Sequence, residues 1–443
     1  MSRVMDEDES QTSSVGIGGS EGDGSPTSNG ASVDVSDKRR GVRGWWQERK
    51  LGRLFWIFLA VSCLFNTGMF IFVLLYNIYL IDIGYKEDFL GWMTSAGTAG
   101  NMVGTFTTVL LNRRIGLRRS VMLCFAATAI IAALRALLVG QVALLLLAFC
   151  AGAIFALWGI SIIVMLAQVT TPQQRPFAFS LYLATVIGVG IVADPIGGRL
   201  PGWLNHLFGA ANAAEAKQWA LLLGAAVIAL AVVPASRLRF TRVEEKTRAT
   251  YPRSSFMLRF LVAVAILNLA TGAFNPFSNV YFSQFLKMPV ADIGLVFSVA
   301  QAAQVVAILL SPLILKKFGI IWGVVVMELA AALSLGFLSA QPERLLAAAA
   351  YAGYVSFQWM DEPAMESLLM TRVEPHERTG ASALMYLVIF ASGAVAAPLA
   401  GVGLKHFGYP LVITVAACVM LVGALSFGFL LRKTSEPSPS DAT

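Results

Sequence analysis

A few ionisable side chains stand inside otherwise apolar stretches of this 443-residue chain. Asp361 and Glu362 are adjacent carboxylates, and Tyr354 and Gln358 lie seven and three residues before Asp361, on the same helix face. A carboxylate in a medium of low dielectric constant tends to hold its proton, and wetting from two sides in turn would let it load and release that proton. Asp361 and Glu362 are therefore predicted proton-coupling residues.

Three further acidic residues have alternative interpretations. Glu328 is a candidate either for a buried structural pair or for proton transfer. Asp194 belongs either to a gating segment or to an ion pair with Arg135 or Arg199. Glu366 is expected near the cytoplasmic end of its helix, in a structural or gating cluster with one of three cations, Arg372, Arg378 or Lys317, rather than in contact with substrate.

Uncharged polar residues recur at helical spacings within the apolar stretches. Asn268, Thr271 and Asn275 are three and four residues apart, and a second stripe runs from Thr94 to Thr108. Such side chains gain nothing from facing lipid, so they line a hydrated cavity or form hydrogen bonds between helices. Because equivalent stripes occur in both parts of the chain, a shared substrate cavity is predicted, lined by Asn66, Asn77, Asn268, Thr271, Asn275, Gln301, Gln304, Tyr354 and Gln358.

Composition indicates which elements carry these residues. Hydrophobic residues make up 57% of the chain, charged residues 13%, and the mean hydropathy is +0.70, whereas about a quarter of the residues of soluble domains are charged. A membrane-crossing helix needs about 20 mostly apolar residues. An all-α polytopic membrane protein with twelve transmembrane helices is predicted, from apolar runs at 54–80, 89–111, 120–138, 141–168, 177–200, 218–236, 258–285, 290–315, 321–340, 344–371, 379–403 and 408–431.

The chain repeats its own landmarks at an offset of 203 residues. The stretch from Gly190 through Asp194-Pro195 matches the stretch from Gly393 through Pro398, and 393 minus 190 is 203. Such a repeat indicates duplication and two pseudo-symmetric six-helix halves. The predicted segments are a disordered cytoplasmic tail, an N-terminal bundle, a cytoplasmic linker, a C-terminal bundle and a second cytoplasmic tail, at 1–44, 45–236, 237–257, 258–431 and 432–443.

The distribution of lysine and arginine predicts the orientation. The segment before the first run, the link between the halves and every second loop are basic, whereas the alternate loops hold far fewer cations. The positive-inside rule then places both termini in the cytoplasm, in an integral protein of the plasma (inner) membrane. The net charge of +7 follows this loop pattern rather than a nucleic-acid-binding patch.

Histidines and cysteines argue against catalysis. His206, His376 and His406 all lie in or near predicted loops, and the four cysteines lie inside apolar runs without metal-ligand spacing. The sequence contains no glycine-rich phosphate loop. We therefore predict a protein that is not an enzyme, with no cofactor and no metal site.

Two basic loops carry a family resemblance: Arg113-Arg114-Ile115-Gly116-Leu117-Arg118-Arg119 and Lys316-Lys317-Phe318-Gly319. With twelve spans and two duplicated halves, they resemble the major facilitator superfamily, whose loop motif is Gly-x-x-x-Asp-Arg-x-Gly-Arg-Arg. Arg113 and Lys316 stand where that motif has its Asp. The segment from Gly190 to Pro195 has a weaker resemblance to the antiporter motif of the drug-proton antiporter branch, with Asp194 in place of the second Gly.

The resemblance implies that the two halves rock against each other, with close helix contacts and basic loops as gates. It also places the helix of Glu328 outside the cavity, which favours a buried structural pair over proton transfer for that residue. Gly393 in particular is expected where two helix backbones approach each other. The predicted gating residues are Arg113, Arg114, Gly116, Arg118, Arg119, Gly190, Asp194, Pro195, Lys316, Lys317, Gly319, Glu366, Arg378, Gly393 and Pro398.

The predicted function is secondary active transport of a small organic solute by alternating access, with proton-coupled efflux as one form of it. The alternative is a non-transporting receptor or scaffold built on a transporter fold. The predicted partners are a small-molecule substrate, the lipid bilayer and, in the coupled form, protons. Nucleic acid is not expected, and the chain is predicted to act as a monomer.

Overall fold

The structure is a computed structural model that describes residues 51–171, 174–238, 250–341 and 343–432. The predicted tails at 1–44 and 432–443, apart from Arg432, and the middle of the predicted linker lie outside the described residues. Short connections separate the helices of the described part, in which no residue forms a strand. The predicted all-α class is confirmed.

The first half of the described chain is a run of long helices. Helix α2 ends and α3 begins at Gly116, whose φ of 82° is a conformation that glycine adopts without strain. Helix α6 begins after Asn212, whose side chain accepts a hydrogen bond from the backbone N–H of Glu215. The bounds are α1 (Arg53–Asp82), α2 (Glu87–Ile115), α3 (Leu117–Leu137), α4 (Gln141–Val169), α5 (Arg175–Phe208) and α6 (Ala213–Leu230).

The second half contains more interruptions. Helix α7 (Ser255–Phe274) continues through three short irregular helical turns to Phe285. The segment Val290–Ser339 is broken at Gly319, which gives α8 (290–318) and α9 (320–339). Helix α10 consists of Arg344–Met360 and Glu362–Arg372, separated at Asp361. The segment Arg378–Arg432 is broken at Gly408, which gives α11 (378–407) and α12 (409–432).

Eight helical segments of the described chain are long and apolar enough to cross a membrane, judged by length and composition. Two of them, of 50 and 55 residues, are the pairs divided at Gly319 and Gly408. Helix α2 falls outside this set because threonines, glycines and Asn101 make its interior less apolar. Helix α10 falls outside it because the break at Asp361 divides it into segments of 17 and 11 residues. The count of twelve spans stays a prediction.

Equivalent hydrogen bonds in the two halves support the internal repeat. The hydroxyl of Tyr79 in α1 donates to the carbonyl oxygen of Ala136 in α3, and the hydroxyl of Tyr281 donates to that of Leu338 in α9, each over 2.9 Å. Both pairs are related by 202 residues, since 281 minus 79 and 338 minus 136 agree. A buried phenol hydroxyl needs such a partner, so each half fixes the same two helices in the same way.

The predicted orientation can be measured with cysteine labelling. The native cysteines at 63, 124, 150 and 418 are first replaced, and single cysteines are introduced at the exposed residues Ala211 and Glu374. We expect Ala211→Cys to react with an impermeant maleimide in intact cells and Glu374→Cys to react only after lysis, because the basic loops lie inside. The reverse pattern would contradict the predicted orientation.

Candidate functional site

The two halves meet through glycines at the predicted outer ends of four helices. Helix α2 crosses α11 at Gly91, where a Cβ atom would lie 2.5 Å from the carbonyl oxygen of Ala397. Helix α8 crosses α5 at Gly294, where a Cβ atom would lie 2.3 Å from the carbonyl oxygen of Asp194. Because 294 minus 91 and 397 minus 194 are both 203, the two crossings are equivalent contacts related by the internal repeat. Small residues permit such close backbone approach.

Serine hydroxyls about one turn away connect the same helices. Ser95 donates a hydrogen bond to the carbonyl oxygen of Ala394 at 2.7 Å, and Ser298 donates to that of Ile191 at 2.6 Å. These positions are again 203 residues apart. Two equivalent contacts therefore close the predicted outer face between the halves.

Asp194 makes the α5–α8 crossing different from its counterpart, which has Ala397. The carboxyl of Asp194 is 2% exposed and accepts a hydrogen bond from Nε2 of Gln301. The side chain of Gln301 occupies the space that Gly190 leaves free by lacking a Cβ atom. Among the described residues Asp194 forms no ion pair, so its predicted alternative of pairing with Arg135 or Arg199 is wrong.

Gly393 lies beside a close approach, although its own Cβ direction is open, with nothing within 4 Å. The constrained position is Gly272 of α7, where a Cβ atom would lie 2.9 Å from the Cα atom of Gly393. The two prolines lie at the glycine crossings: a Cβ atom would be 2.8 Å from the Cα atom of Pro398 at Gly91, and 3.3 Å from that of Pro195 at Gly294. Gly393 thus lies where the backbones of α11 and α7 approach each other, and the missing Cβ atom of Gly272 provides the space for this approach. A gating role for Gly393 stays a prediction.

The basic loops lie at the opposite ends of these helices. Gly116 and Gly319 have nearly equal φ angles of 82° and 75°, so both loops turn in the same way. Arg118 donates a hydrogen bond to the carbonyl oxygen of Ser236. The side chain of Arg113 lies outside the described residues, and the remaining predicted gating cations are exposed: Arg114, Arg119, Lys316, Lys317 and Arg378. A gating role for these loops stays a prediction.

Two asparagines join α1 to the irregular end of α7. Asn77 Nδ2 donates to the carbonyl oxygen of Pro276 at 2.7 Å. Asn279 Nδ2 donates to the carbonyl oxygens of Val73 and Leu74, at 3.2 and 2.9 Å. The broken helical turns at 275–285 leave Pro276 O available, because an intact helix would use that carbonyl internally. Asn77 is therefore a contact between the halves as well as a cavity residue.

A cavity of about 320 Å³ lies beside Asn77. Helices α1, α2, α3 and α4 of the first half and Phe390 of α11 form its walls. Its volume is at the lower end of the range of small-molecule sites, about 300–1,000 Å³. The polar residues of its lining are Asn77, Thr94, Thr98, Asn101 and Arg135.

Arg135 is the charged residue of this lining. Its guanidinium lies 4.1 Å from the ring centroid of Tyr76 and 5.1 Å from that of Phe72. Its Nε atom and the hydroxyl of Tyr76 are both buried without a hydrogen-bond partner. In the part of the chain that the structure describes, no carboxylate pairs with Arg135.

A separate polar network lies between α7 and α10. The hydroxyl of Tyr354 donates to Oδ1 of Asn275 at 2.7 Å, and Nδ2 of Asn275 donates to Oε1 of Gln358 at 3.3 Å. Three predicted cavity residues, Tyr354, Asn275 and Gln358, are thus joined by hydrogen bonds in the structure. Other predicted cavity residues bond to their own helix: Asn66 to Ser62 O, Asn268 to Val264 O and Thr271 to Asn268 O. Gln304 is half-buried on α8.

Asp361 and Glu328 form a buried pair of carboxyl groups between α10 and α9. Asp361 is 0% and Glu328 is 3% exposed, and the two side chains are direct neighbours. Both Oδ atoms of Asp361 and Oε2 of Glu328 lack a hydrogen-bond partner. Asp361 thus faces α9 and is not among the residues lining the cavity beside Asn77.

The other two acidic residues of α10 follow toward the predicted cytoplasmic side. Glu362 is half-buried, and Glu366 is exposed and accepts a hydrogen bond from the hydroxyl of Tyr386 at 3.0 Å. Exposure of the carboxyls therefore increases from Asp361 through Glu362 to Glu366. This gradient follows from the helix leaving the apolar packing as it approaches the loop at 373–377.

The sequence predictions missed Arg135 and Asn101 as cavity residues. Arg135 was expected near the outer end of its helix as an ion-pair partner, because spacing alone does not show that the carboxylates point elsewhere. Asn101 belongs to the stripe from Thr94 to Thr108 and could have been found by that signal. The structure adds that Thr94, Thr98 and Asn101 face Arg135 across one cavity.

Two helical halves, related by an internal repeat, with a cavity in the first half that reaches Phe390 of the second, are the architecture of a membrane transporter. The sequence profile of the Major Facilitator Superfamily matches residues 56–354 and 260–443. The chain therefore belongs to the major facilitator superfamily, as its loops and repeat predicted. No curated protein sequence matches it significantly.

Solved structures of other transporters share the fold. The nucleoside transporter NupG is 15% identical with a TM-score of 0.72, and the match covers 86% of this chain and 100% of NupG. A bacterial homologue of the human lysosomal transporter Spinster, inward-facing and unoccupied, is 13% identical with a TM-score of 0.72, over 88% and 100% of the two chains. A bacterial homologue of the iron transporter ferroportin, inward-facing, is 12% identical with a TM-score of 0.63, over 87% and 99%. At these identities the likeness concerns the fold alone.

Proposed function

We propose that this protein is a secondary transporter that moves a small organic solute by alternating access between its two halves. The observation that carries the proposal is the repeated crossing at Gly91 and Gly294, held by Ser95 and Ser298. Two equivalent contacts at one end of the bundle can open together when the halves rock, because each buries backbone against backbone without a covalent link. At the α2–α11 crossing the partly exposed ion pair between Lys405 and Asp88 must separate as well. The present conformation is then the one closed to the outside.

Proton coupling is proposed at the Asp361–Glu328 pair. Two neighbouring carboxylates in apolar surroundings without a cation repel each other, so the pair is stable only when it holds a proton. The increasing exposure from Asp361 through Glu362 to Glu366 supplies a route for protons toward the cytoplasmic side. In the opposite conformation the same pair would be wetted from the outside and take up a proton, which it then releases to the cytoplasm along this route.

Efflux is the direction that we propose. A cavity closed at the outer face accepts solute from the cytoplasmic side. Protons moving into the cell down their gradient would then drive the solute outward in exchange. Glu362 and Asp361 are assigned to coupling. The predicted gating residues, the plasma membrane location, the cytoplasmic termini and the monomeric state are retained as parts of this proposal.

Alternating access can be tested without knowing the substrate by measuring distances between spin labels. One pair, at Gly140 and Glu343, reports on the predicted outer face, and a second pair, at Arg119 and His376, reports on the inner face; all four residues are exposed. We expect two populations at each face, with the short outer distance accompanying the long inner distance. A single population at both faces, unchanged between pH 5 and pH 8 in liposomes, would support a non-transporting receptor or scaffold instead.

A further inference from the structure

We infer that the cavity at Arg135 binds an organic monoanion, a solute with one carboxylate and an apolar body. This assignment rests on the proposed function, because a ligand of this cavity is cargo only if the protein alternates access. It departs from the polar stripes of the sequence, which would suit an uncharged solute equally well.

The first step concerns the charge of Arg135. A cation within a membrane-spanning bundle is costly unless an anion or water compensates it. No carboxylate among the described residues pairs with Arg135. Asp194 bonds to Gln301, and the Asp82 carboxylate pairs with Lys217. The Asp88 carboxylate, on α2, pairs with Lys405. These acidic groups are therefore occupied, and the Arg135 guanidinium has no carboxylate partner among the described residues.

The second step concerns how the guanidinium is held. The rings of Tyr76 and Phe72 lie 4.1 and 5.1 Å from it, which stabilises a cation on an aromatic face without neutralising it. The planar guanidinium has five N–H donors in a fixed fork that matches a carboxylate. A guanidinium held against these two rings is oriented before the ligand arrives, which lowers the entropic cost of binding.

The third step concerns the charge and shape of the ligand. Arg135 is the single charged residue among those that line the cavity, so one negative charge balances the site and a second would remain uncompensated. Apolar walls come from Met69, Met93, Phe155 and Phe390. Asn101 makes no side-chain hydrogen bond with the described residues and can bond to a further polar group on the ligand.

The test compares carboxylates with their uncharged amides on the purified full chain. The probes are benzoate, phenylacetate and hexanoate, each paired with its primary amide, and binding is followed by thermal shift and calorimetry. A ligand that binds the folded state raises its melting temperature by mass action. We expect at least one carboxylate to bind and its amide to bind at least tenfold more weakly, because the amide cannot pair with the guanidinium charge.

Variants identify the residue. Arg135→Gln is expected to weaken carboxylate binding roughly 10- to 100-fold, whereas Arg135→Lys, which keeps the charge without the fork, should lose less. The matched control is Arg53→Gln, which removes an exposed arginine at the start of α1 and should bind as the parent does. Equal binding of acid and amide, unchanged binding by Arg135→Gln, or no binding of any carboxylate would overturn the assignment.

The spin-label distances keep the two proposals separate. Carboxylate binding without two conformational populations would leave the anion site intact and remove its transport role. Two populations without carboxylate binding would keep alternating access and remove the anion site.

Discussion

Gly294→Ala is expected to shift the protein out of the outer-closed conformation. The added Cβ atom would lie 2.3 Å from the backbone carbonyl oxygen of Asp194, an obstacle that no side-chain rotation relieves. Forcing atoms into a tightly packed contact costs about 1–3 kcal/mol, which corresponds to roughly a 5- to 150-fold change in the conformational equilibrium. The short distance between labels at Gly140 and Glu343 should therefore largely disappear.

The symmetry of the crossings supplies a second variant, and an open glycine supplies the control. Gly91→Ala places a Cβ atom 2.5 Å from Ala397 O and should have the same effect. Gly188→Ala, on α5, meets nothing within 4 Å and should keep the parental distances. All three changes favour helix formation by about 0.5–1 kcal/mol, so loss of helix cannot explain a difference. Parental distances in both Gly91→Ala and Gly294→Ala would show that these crossings do not set the conformation.

Sequence patterns identified the architecture because duplication and hydropathy are properties of the chain itself. The offset of 203 residues between Gly190 and Gly393 correctly implied equivalent contacts, and those contacts appear at Gly91 and Gly294. Apolar runs located most helices to within a few residues. The break at Gly319 falls inside the gap predicted between 315 and 321, whereas the break at Gly408 falls at the start of the predicted run 408–431. Hydropathy locates such a break only approximately, because one glycine with positive φ suffices to turn the chain.

The site was harder to predict, because helical spacing shows which residues share a helix face but not which neighbouring helix that face contacts. Asp361, Gln358 and Tyr354 do share a face by spacing, yet only Tyr354 and Gln358 bond to Asn275. Asp361 instead meets Glu328, at the point where α10 is interrupted. Which helix packs against which face depends on tertiary packing, so the cation at Arg135 and the carboxyl pair became visible only in the structure.

Asp361→Asn is expected to remove the pH dependence of the conformational equilibrium. In the parent, the conformation described here buries the Asp361–Glu328 pair, and burial without a cation favours the protonated pair. The conformation that binds the proton more tightly gains population as pH falls. The fraction of molecules with the short outer distance should therefore rise at low pH. Asparagine keeps the shape of the side chain but cannot ionise. At every pH, the conformational equilibrium of the variant should therefore resemble that of the parent at low pH.

The partner residue and an exposed acid make this prediction specific. Glu328→Gln should also reduce the pH response, and the double variant should add little to either single change, since the two groups act as a pair. Glu362→Gln should have a smaller effect because its carboxyl is half-buried. Glu374→Gln, at an exposed loop residue 3.4 Å from His376, should leave the response unchanged.

Once a substrate is known, Asp361→Asn should lose uphill, pH-driven flux yet retain counterflow exchange. If Asp361→Asn and Glu328→Gln both respond to pH as the parent does, the pair is structural and protons are coupled through another residue.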